Sequence, residues 1–450
     1  MPPRKPHARR PGSRPAQRPA PEPPTRGPVE VAITRLGGRG DGLAEWQGHR
    51  LYVPQTLVGD RLMVKFGAHR GDGWEGVPVS LLAEGPGRAE PPCPHFGSCG
   101  GCVAQHMDDA TYATWKLEAL TTVLGRCGLL GDGVTLHPMA RTEPAQRRRA
   151  VMNAVRRGSR VWLGFNEAHS HRLVDLSACA VLAPPLTALI APLREALTPL
   201  LADGQSVDVA LTLLDDGVDI VLEGLAAPDL RTLEHLAGFA QAQDLARLSW
   251  RARDGQPAEP VALRRSGLLG FGDVTVSPAP GAFLQASRQA ESALVAAVLG
   301  GIGPATAVAD LFAGSGTFTF PLAAHLSPAG HVHAVEGDPA AFAALSGGSR
   351  QTQGRVTAER RDLFRDPLVP FDLDRFQAVV FDPPRAGAQA QAAQLAASAV
   401  PRVVGVSCNP LSFARDAQML IDGGYRLTDI LPVDQFLWSA HMELVGWFQR

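Results

Sequence analysis

Two side chains able to attack carbon or deprotonate it stand near the end of the chain. They are Cys408, in Ser407-Cys408-Asn409-Pro410, and Glu443, in His441-Met442-Glu443. Cys408 ends the apolar run Arg402–Ser407 and precedes a helical pattern led by Pro410, so it is read at a strand tip that opens a helix. A free cysteine is commonly buried and inert, but one at such a tip gains exposure and a helix dipole that favours thiolate. Glu443 lies beside apolar residues, between Phe436-Leu437-Trp438 and a closing strand. A raised pKa and service as a base are expected of it, with a surface carboxylate as the alternative.

A second group of residues is built for a ligand. Asp310-Leu311-Phe312-Ala313-Gly314-Ser315-Gly316-Thr317 follows the apolar run Ala307-Val308-Ala309 and precedes a helical pattern. That order is strand, Gly-rich turn, helix. Glycines there let the backbone turn sharply and approach a ligand. The next strand pattern, Val332–Val335, ends at Glu336, an acid suited to two ribose hydroxyls. The third glycine of a dinucleotide fingerprint is missing, so a single nucleoside without pyrophosphate, such as S-adenosylmethionine (SAM), fits better. Asp362 ends a further extended run and either meets an adenine amine or caps a helix. Asp382, in Asp382-Pro383-Pro384-Arg385, ends the buried strand pattern Ala378–Phe381. Ligands gather at the carboxyl ends of such strands, so it is expected to face the same site.

The third group is Cys93, Cys99 and Cys102, spaced C-x5-C-x2-C with Gly97, Gly100 and Gly101 among them. Thiols this close in a chain with six cysteines point to a metal rather than a disulfide scaffold. A fourth thiolate would complete either a [4Fe–4S] cluster or an all-thiolate zinc site. Cys127 sits in a Leu-rich helical pattern and reads as a core residue, and Cys408 has the role above. Cys179, at a polar-to-apolar boundary, is the preferred fourth ligand.

The elements that must position these groups imply several domains in 450 residues. Residues 1–27, rich in Pro and Arg, are expected to be a disordered basic tail. Residues 28–85 alternate short apolar runs with glycine turns, as a small β-barrel does. Residues 86–277 form a central α/β domain, and 278–450 an α/β domain with a Rossmann-like sheet. Within the central domain, Arg141, Arg147, Arg148, Arg149, Arg156, Arg157, Arg160 and Arg172 cluster around two strand patterns that turn at Gly158. On one face they would bind phosphates; the alternative is a solvated charged face. The net charge of −1 favours neither. No apolar run is long enough for a membrane span and no signal core opens the sequence, so a cytoplasmic protein is expected.

Together these residues resemble the RNA uracil-5-methyltransferase family, and within it the iron–sulfur members that act on 23S ribosomal RNA. The resemblance spans about residues 28–450. It implies that the barrel is a TRAM domain, OB-like in form, and that Cys93, Cys99, Cys102 and Cys179 hold a [4Fe–4S] cluster. It implies further that Gln285, Phe312, Thr317, Glu336, Asp362 and Asp382 bind SAM, that Cys408 is the nucleophile and that Glu443 is the proton acceptor. The expected substrate is a uridine flipped out of an RNA loop, and a monomer is expected. The sequence departs from the family pattern at Thr317 and Ser287 (each usually Asn), Gln146 (usually Tyr) and Leu437-Trp438-Ser439 (usually Pro-His-Thr). A transfer-RNA substrate and a non-catalytic RNA-binding or ribosome assembly factor are the alternatives. DNA is not expected, because cytosine methylation would put its cysteine after a proline at the strand tip of Asp382, where Pro383-Pro384 stand.

Overall fold

The computed structural model describes residues 21–168, 170–252 and 256–450, so most of the basic Pro-rich tail lies outside the described residues. The chain divides into two compact units. One holds the residues up to Gly37 with Asp41–Pro86; the other holds Gly38–Gly40 with Gly87–Arg450.

The smaller unit is a six-stranded sheet. Its first strand, Val29–Ala32, alternates buried and exposed residues. It pairs antiparallel with Arg61–Arg70, Val29 opposite Val64. Val29, Val31, Leu51, Val53, Leu62 and Val64 fill its interior, as the period of two requires. Asp60 closes the unit by accepting the N–H of Leu57 and of Gly85, both at 2.7 Å.

The larger unit contains two major sheets. The central one has seven strands in the order Leu173–Asp175, Arg160–Asn166, Arg149–Arg157, Ser206–Leu214, Gly217–Glu223, Arg247–Arg251, Glu259–Leu263. The two strands expected to meet at Gly158 do so, with Arg157 opposite Arg160. Helices Ile190–Leu197 and Leu230–Ala242 bury Leu193, Leu197, Leu236 and Ala240 in the core of this region.

The second sheet runs Val356–Arg360, His331–Glu336, Ala307–Leu311, Ala378–Phe381, Arg402–Ser407, Glu443–Gln449, Arg426–Asp434, Thr135–Leu136. Its first five strands are parallel to their neighbours. Their apolar runs are covered on both faces, as parallel strands demand. Val308, Ala334, Val380 and Val404 face one core, and Ala309, Val335, Val379 and Val403 the other. Each of these valines contributes about 1.5–3 kcal/mol when fully buried. Glu443–Gln449 then returns antiparallel to Arg402–Ser407.

The segment from helix Asp109–Arg126 through Ala140–Arg141 precedes the central sheet in sequence yet packs on the second one. Thr135–Leu136 and Ala140–Arg141 pair parallel with the strand Arg426–Asp434. Leu120 and Leu124 join the cluster of Phe413, Leu420 and Phe448. Cys127, read from sequence as a core residue, is exposed. It follows the last helical turn as the C-cap and no longer shares the leucine face. No helix among the described residues is long and apolar enough to cross a membrane.

Candidate active site

The Gly-rich turn lies at the carboxyl end of Ala307–Leu311. Gly314 has φ 57°, and a Cβ built there would meet nothing within 4 Å, so the turn leaves open space above it. Gly316 has φ 102°, and a Cβ there would strike the Phe320 ring. Phe312 also takes a positive φ, 61°, and packs against Phe364 with ring centroids 5.4 Å apart. Thr317 lies half-buried in the same turn. Glu336 is held from both sides: its Oε2 accepts the N–H of Gly314 at 2.8 Å and its Oε1 the N–H of Asp338 at 2.6 Å. Each oxygen keeps a lone pair for a hydroxyl. Beneath the turn, Asp310 accepts the Thr319 hydroxyl at 2.5 Å through Oδ2. Its buried Oδ1 has no hydrogen-bond partner. Burial, and then the charges of Asp382 and Glu336, push Asp310 up to about 7. An orphaned buried carboxylate oxygen beside an open glycine turn suits a ligand with a donor, such as the amine of an amino-acid moiety. Asp362 is exposed and accepts the N–H of Phe364 at 3.1 Å through Oδ1.

The sheet register brings the two reactive side chains together. Ser407 pairs with Leu444 as the last rung, so Cys408 and Glu443 lie just beyond it and interact although 35 positions separate them in sequence. Asn409 caps the helix Pro410–Asp422 by accepting the Leu411 N–H. Its side-chain N–H donates to the carbonyl of Arg385 at 3.1 Å, which anchors the Asp382 loop to the tip that carries Cys408. Burial, then the charges of Glu443 and Asp382, push the Cys408 thiol up to about 11, with Arg385 opposing. Burial first, and the two carboxyl groups second, thus oppose the thiolate that the strand-tip position was expected to favour. Glu443 is buried, and burial followed by the charge of Asp382 raises it to about 8. Burial raises Asp382 to about 7.

A continuous chain of hydrogen bonds links these groups. Gln285 donates to Asp382 Oδ2 at 3.2 Å. Gln435 donates to Gln285 Oε1 at 3.0 Å and to Glu443 Oε1 at 2.7 Å, and its own Oε1 accepts the Ala286 N–H at 2.8 Å. Sequence reasoning missed Gln435. The available signal was a polar side chain beside Asp434 at the end of an apolar strand. Ser287 acts locally and caps helix Arg288–Ile302 by accepting the Ala290 N–H at 3.1 Å.

Cys93, Cys99, Cys102 and Cys179 line a single cavity with Phe96, Phe165, Leu176 and Val181. Burial pushes Cys102 up to about 12 and raises Cys99 and Cys179. For these three thiols burial disfavours the thiolate unless a cationic partner is near. The Gly101 N–H donates to Cys99 Sγ at 3.4 Å. The Gly100 N–H donates to the Asn166 carbonyl at 2.9 Å and ties the loop to the central sheet. Among the described residues, no group of three or more His, Cys, Asp or Glu side chains that could hold a metal ion is found.

Many of the arginines expected to form a phosphate surface have protein partners. Arg141 makes a two-pronged pair with Asp109 at 2.8 and 2.6 Å. Arg148 is buried against Glu291. Arg156 donates to the carbonyls of Thr198 and Leu201 at 2.7 and 2.9 Å, and Arg147 to that of Arg149 at 3.0 Å. Arg157 and Arg160 are exposed and stack on Trp162, 4.3 and 5.7 Å from its ring centre.

The description "tRNA (Uracil-5-)-methyltransferase" belongs to the family model that matches residues 350–450. Over 93% of its length the chain is similar to an uncharacterized RNA methyltransferase of Brucella suis, with 42% identity across 97% of that protein. It is similar over the same share to the 23S rRNA (uracil(1939)-C(5))-methyltransferase of Halomonas elongata, with 34% identity across 89% of that protein. Among solved structures, the Pyrococcus abyssi tRNA (uracil-54, C5)-methyltransferase in complex with S-adenosyl-L-homocysteine shares the fold. Its TM-score is 0.74 over 93% of this chain and 99% of that one, at 21% identity.

Proposed function

Because the chain belongs to the RNA uracil-5-methyltransferase family, we propose that it forms 5-methyluridine in 23S ribosomal RNA, with Cys408 as nucleophile and Glu443 as base. The observation that carries this reading is the approach of Cys408 and Glu443 just beyond the rung Ser407–Leu444, with Asp382 joined to Glu443 through Gln285 and Gln435.

The sulfonium methyl of SAM is the electrophile, and uracil C5 is too weak a nucleophile to take it unaided. The Cys408 thiol first loses its proton, a step that Arg385 eases and the two carboxylates oppose. The thiolate adds to C6, and the displaced electron pair makes C5 an enolate carbon. C5 then bonds to the methyl carbon as the methyl–sulfur bond breaks. Glu443, ionised, removes the C5 proton; the electrons of that C–H bond restore the C5–C6 double bond and expel Cys408 as thiolate. Asp382 and Gln285 hold the uracil edge. The base must leave its stack to reach them, so the target uridine lies in a loop or is flipped.

Glu336, Phe312 and Thr317 flank the SAM position in this reading, and Asp362 lies at its adenine end. The four cysteines of the cavity would hold a [4Fe–4S] cluster; support comes from their convergence on one cavity. Its contribution would be structural, helping to fix the loop of Cys93–Cys102 against the central sheet. The N-terminal unit is read as the TRAM-like barrel, and Arg157, Trp162 and Arg160 as an RNA contact. Mass mapping of methylated uridines in RNA from cells with and without the protein tests the whole. Loss of one 5-methyluridine in 23S RNA supports it. Loss confined to transfer RNA overturns the substrate, and no loss overturns the reaction.

A further inference from the structure

Gln435 is 3% exposed, and both ends of its amide are in use. Its Oε1 accepts a backbone N–H, that of Ala286. A backbone N–H admits only an acceptor, so the amide cannot turn over: its NH2 group must face Glu443 and Gln285. The anchor is itself fixed. The N–H of Arg148 donates to the Ala286 carbonyl and its Nε to the Gln285 carbonyl, both at 2.9 Å, while its guanidinium is buried against Glu291.

Polarity then passes along the chain of amides. Gln285 must present its oxygen to Gln435, so its nitrogen faces Asp382. One N–H of that nitrogen remains for an acceptor on the base. Gln435 also gives Glu443 a neutral donor in a buried place where Asp382 and Cys408 are the other ionisable groups facing it, with Arg385 acting on Cys408.

We propose that Gln435 is a positioning residue of the methyl-transfer reaction, setting through one amide both the carboxylate of Glu443 and the donor direction of Gln285. The proposal rests on the reading of Glu443 as the base. Without Gln435, Glu443 loses a partner that favours its charged form, and Gln285 is free to turn its oxygen toward Asp382. Two consequences follow. Proton removal at C5 requires a higher pH, and the covalent RNA adduct persists longer.

The test is single-turnover methyl transfer to ribosomal RNA from cells lacking the protein, as a function of pH, for wild type and Gln435→Met. The acid side of the profile is expected to move up by about one pH unit, about a tenfold loss of rate at the acid end. The rate should recover at alkaline pH, with KM for SAM unchanged. Gln435→Glu is nearly isosteric and places a second carboxyl group against Glu443; its profile should move further in the same direction, and it serves if the methionine variant folds poorly. Profiles that superimpose on wild type, or a loss equal at every pH, would overturn the proposal. Glu443→Gln separates the two levels. If it traps an RNA adduct while both Gln435 variants behave as wild type, only the role of Gln435 fails. If it turns over normally, the reading of the base fails.

Discussion

The carbonyl oxygen of Trp438 accepts the backbone N–H of Val103 at 2.7 Å, and that of Ala104 at 3.2 Å. Val103 follows Cys102, and Trp438 lies in the turn that leads to Glu443, so the cysteine loop and the segment carrying Glu443 share an anchor. Trp438 has φ 59°, a left-handed conformation that costs a non-glycine residue roughly 1–2 kcal/mol. It persists because the residue is held at both ends: its own N–H donates to the Tyr112 hydroxyl at 2.8 Å.

Loosening the cysteine loop should therefore reach the site. Cys102→Ser, or chelation of the proposed cluster, is expected to lower the melting temperature and to slow methyl transfer although Cys408 and Glu443 are untouched. Limited proteolysis within residues 436–442 should accelerate in parallel. Unchanged cleavage and unchanged rate would break the link between the two loops.

The same turn rests on a buried ion pair. Lys116 Nζ lies 2.9 Å from Asp434 Oδ1, with side chains 2% and 0% exposed. It also donates to the carbonyls of Ser439 and His441. The Tyr112 hydroxyl donates to Asp434 Oδ2 at 2.6 Å. Burial lowers the pKa of Lys116, and Asp434 opposes that shift. Lys116→Met leaves Asp434 buried without its cation and should destabilise the fold by about 3–5 kcal/mol. Tyr112→Phe removes one hydroxyl and leaves two polar groups short, which costs about 1–3 kcal/mol. Denaturant unfolding measures both; equal losses for the two variants would argue against a charged pair.

Stability should also depend on pH in a stated direction. Asp310 and Asp382 are raised to about 7 and Glu443 to about 8. Each binds its proton more tightly folded than unfolded, so the stabilisation is complete below the ordinary carboxyl range, about pH 4. It is lost as pH rises through 7 and 8. The ligand-free protein should melt at progressively lower temperature from pH 5 to pH 8.5, and Glu443→Gln should flatten that slope. A melting temperature that rises over this interval would contradict the assignment.

What was legible in the sequence was what local order encodes. The glycine turn after Ala307–Leu311, the acid at the end of His331–Glu336 and the cysteine at the end of Arg402–Ser407 follow from runs of a few residues, because a parallel strand is apolar along its length. The strand pair around Gly158 was readable for the same reason. Gln435 was not, since the groups it joins, Gln285 and Ala286, lie 150 and 149 positions away. Nor was the fate of the arginines: charge is visible in a sequence, but Arg148 differs from Arg157 only through Glu291, 143 positions on. The helix Asp109–Arg126 looked like part of the central domain because it precedes that sheet. Its leucine face found the second sheet instead.

The central claim is that Cys408 bonds to the uracil and Glu443 releases it, and one measurement meets it directly. Glu443→Gln is incubated with SAM and ribosomal RNA from cells lacking the protein, then run on a denaturing gel. The account predicts a slow-migrating RNA–protein band that depends on SAM and vanishes when Cys408→Ala is added to the variant. Full turnover by Glu443→Gln, or an adduct that survives loss of Cys408, would contradict it.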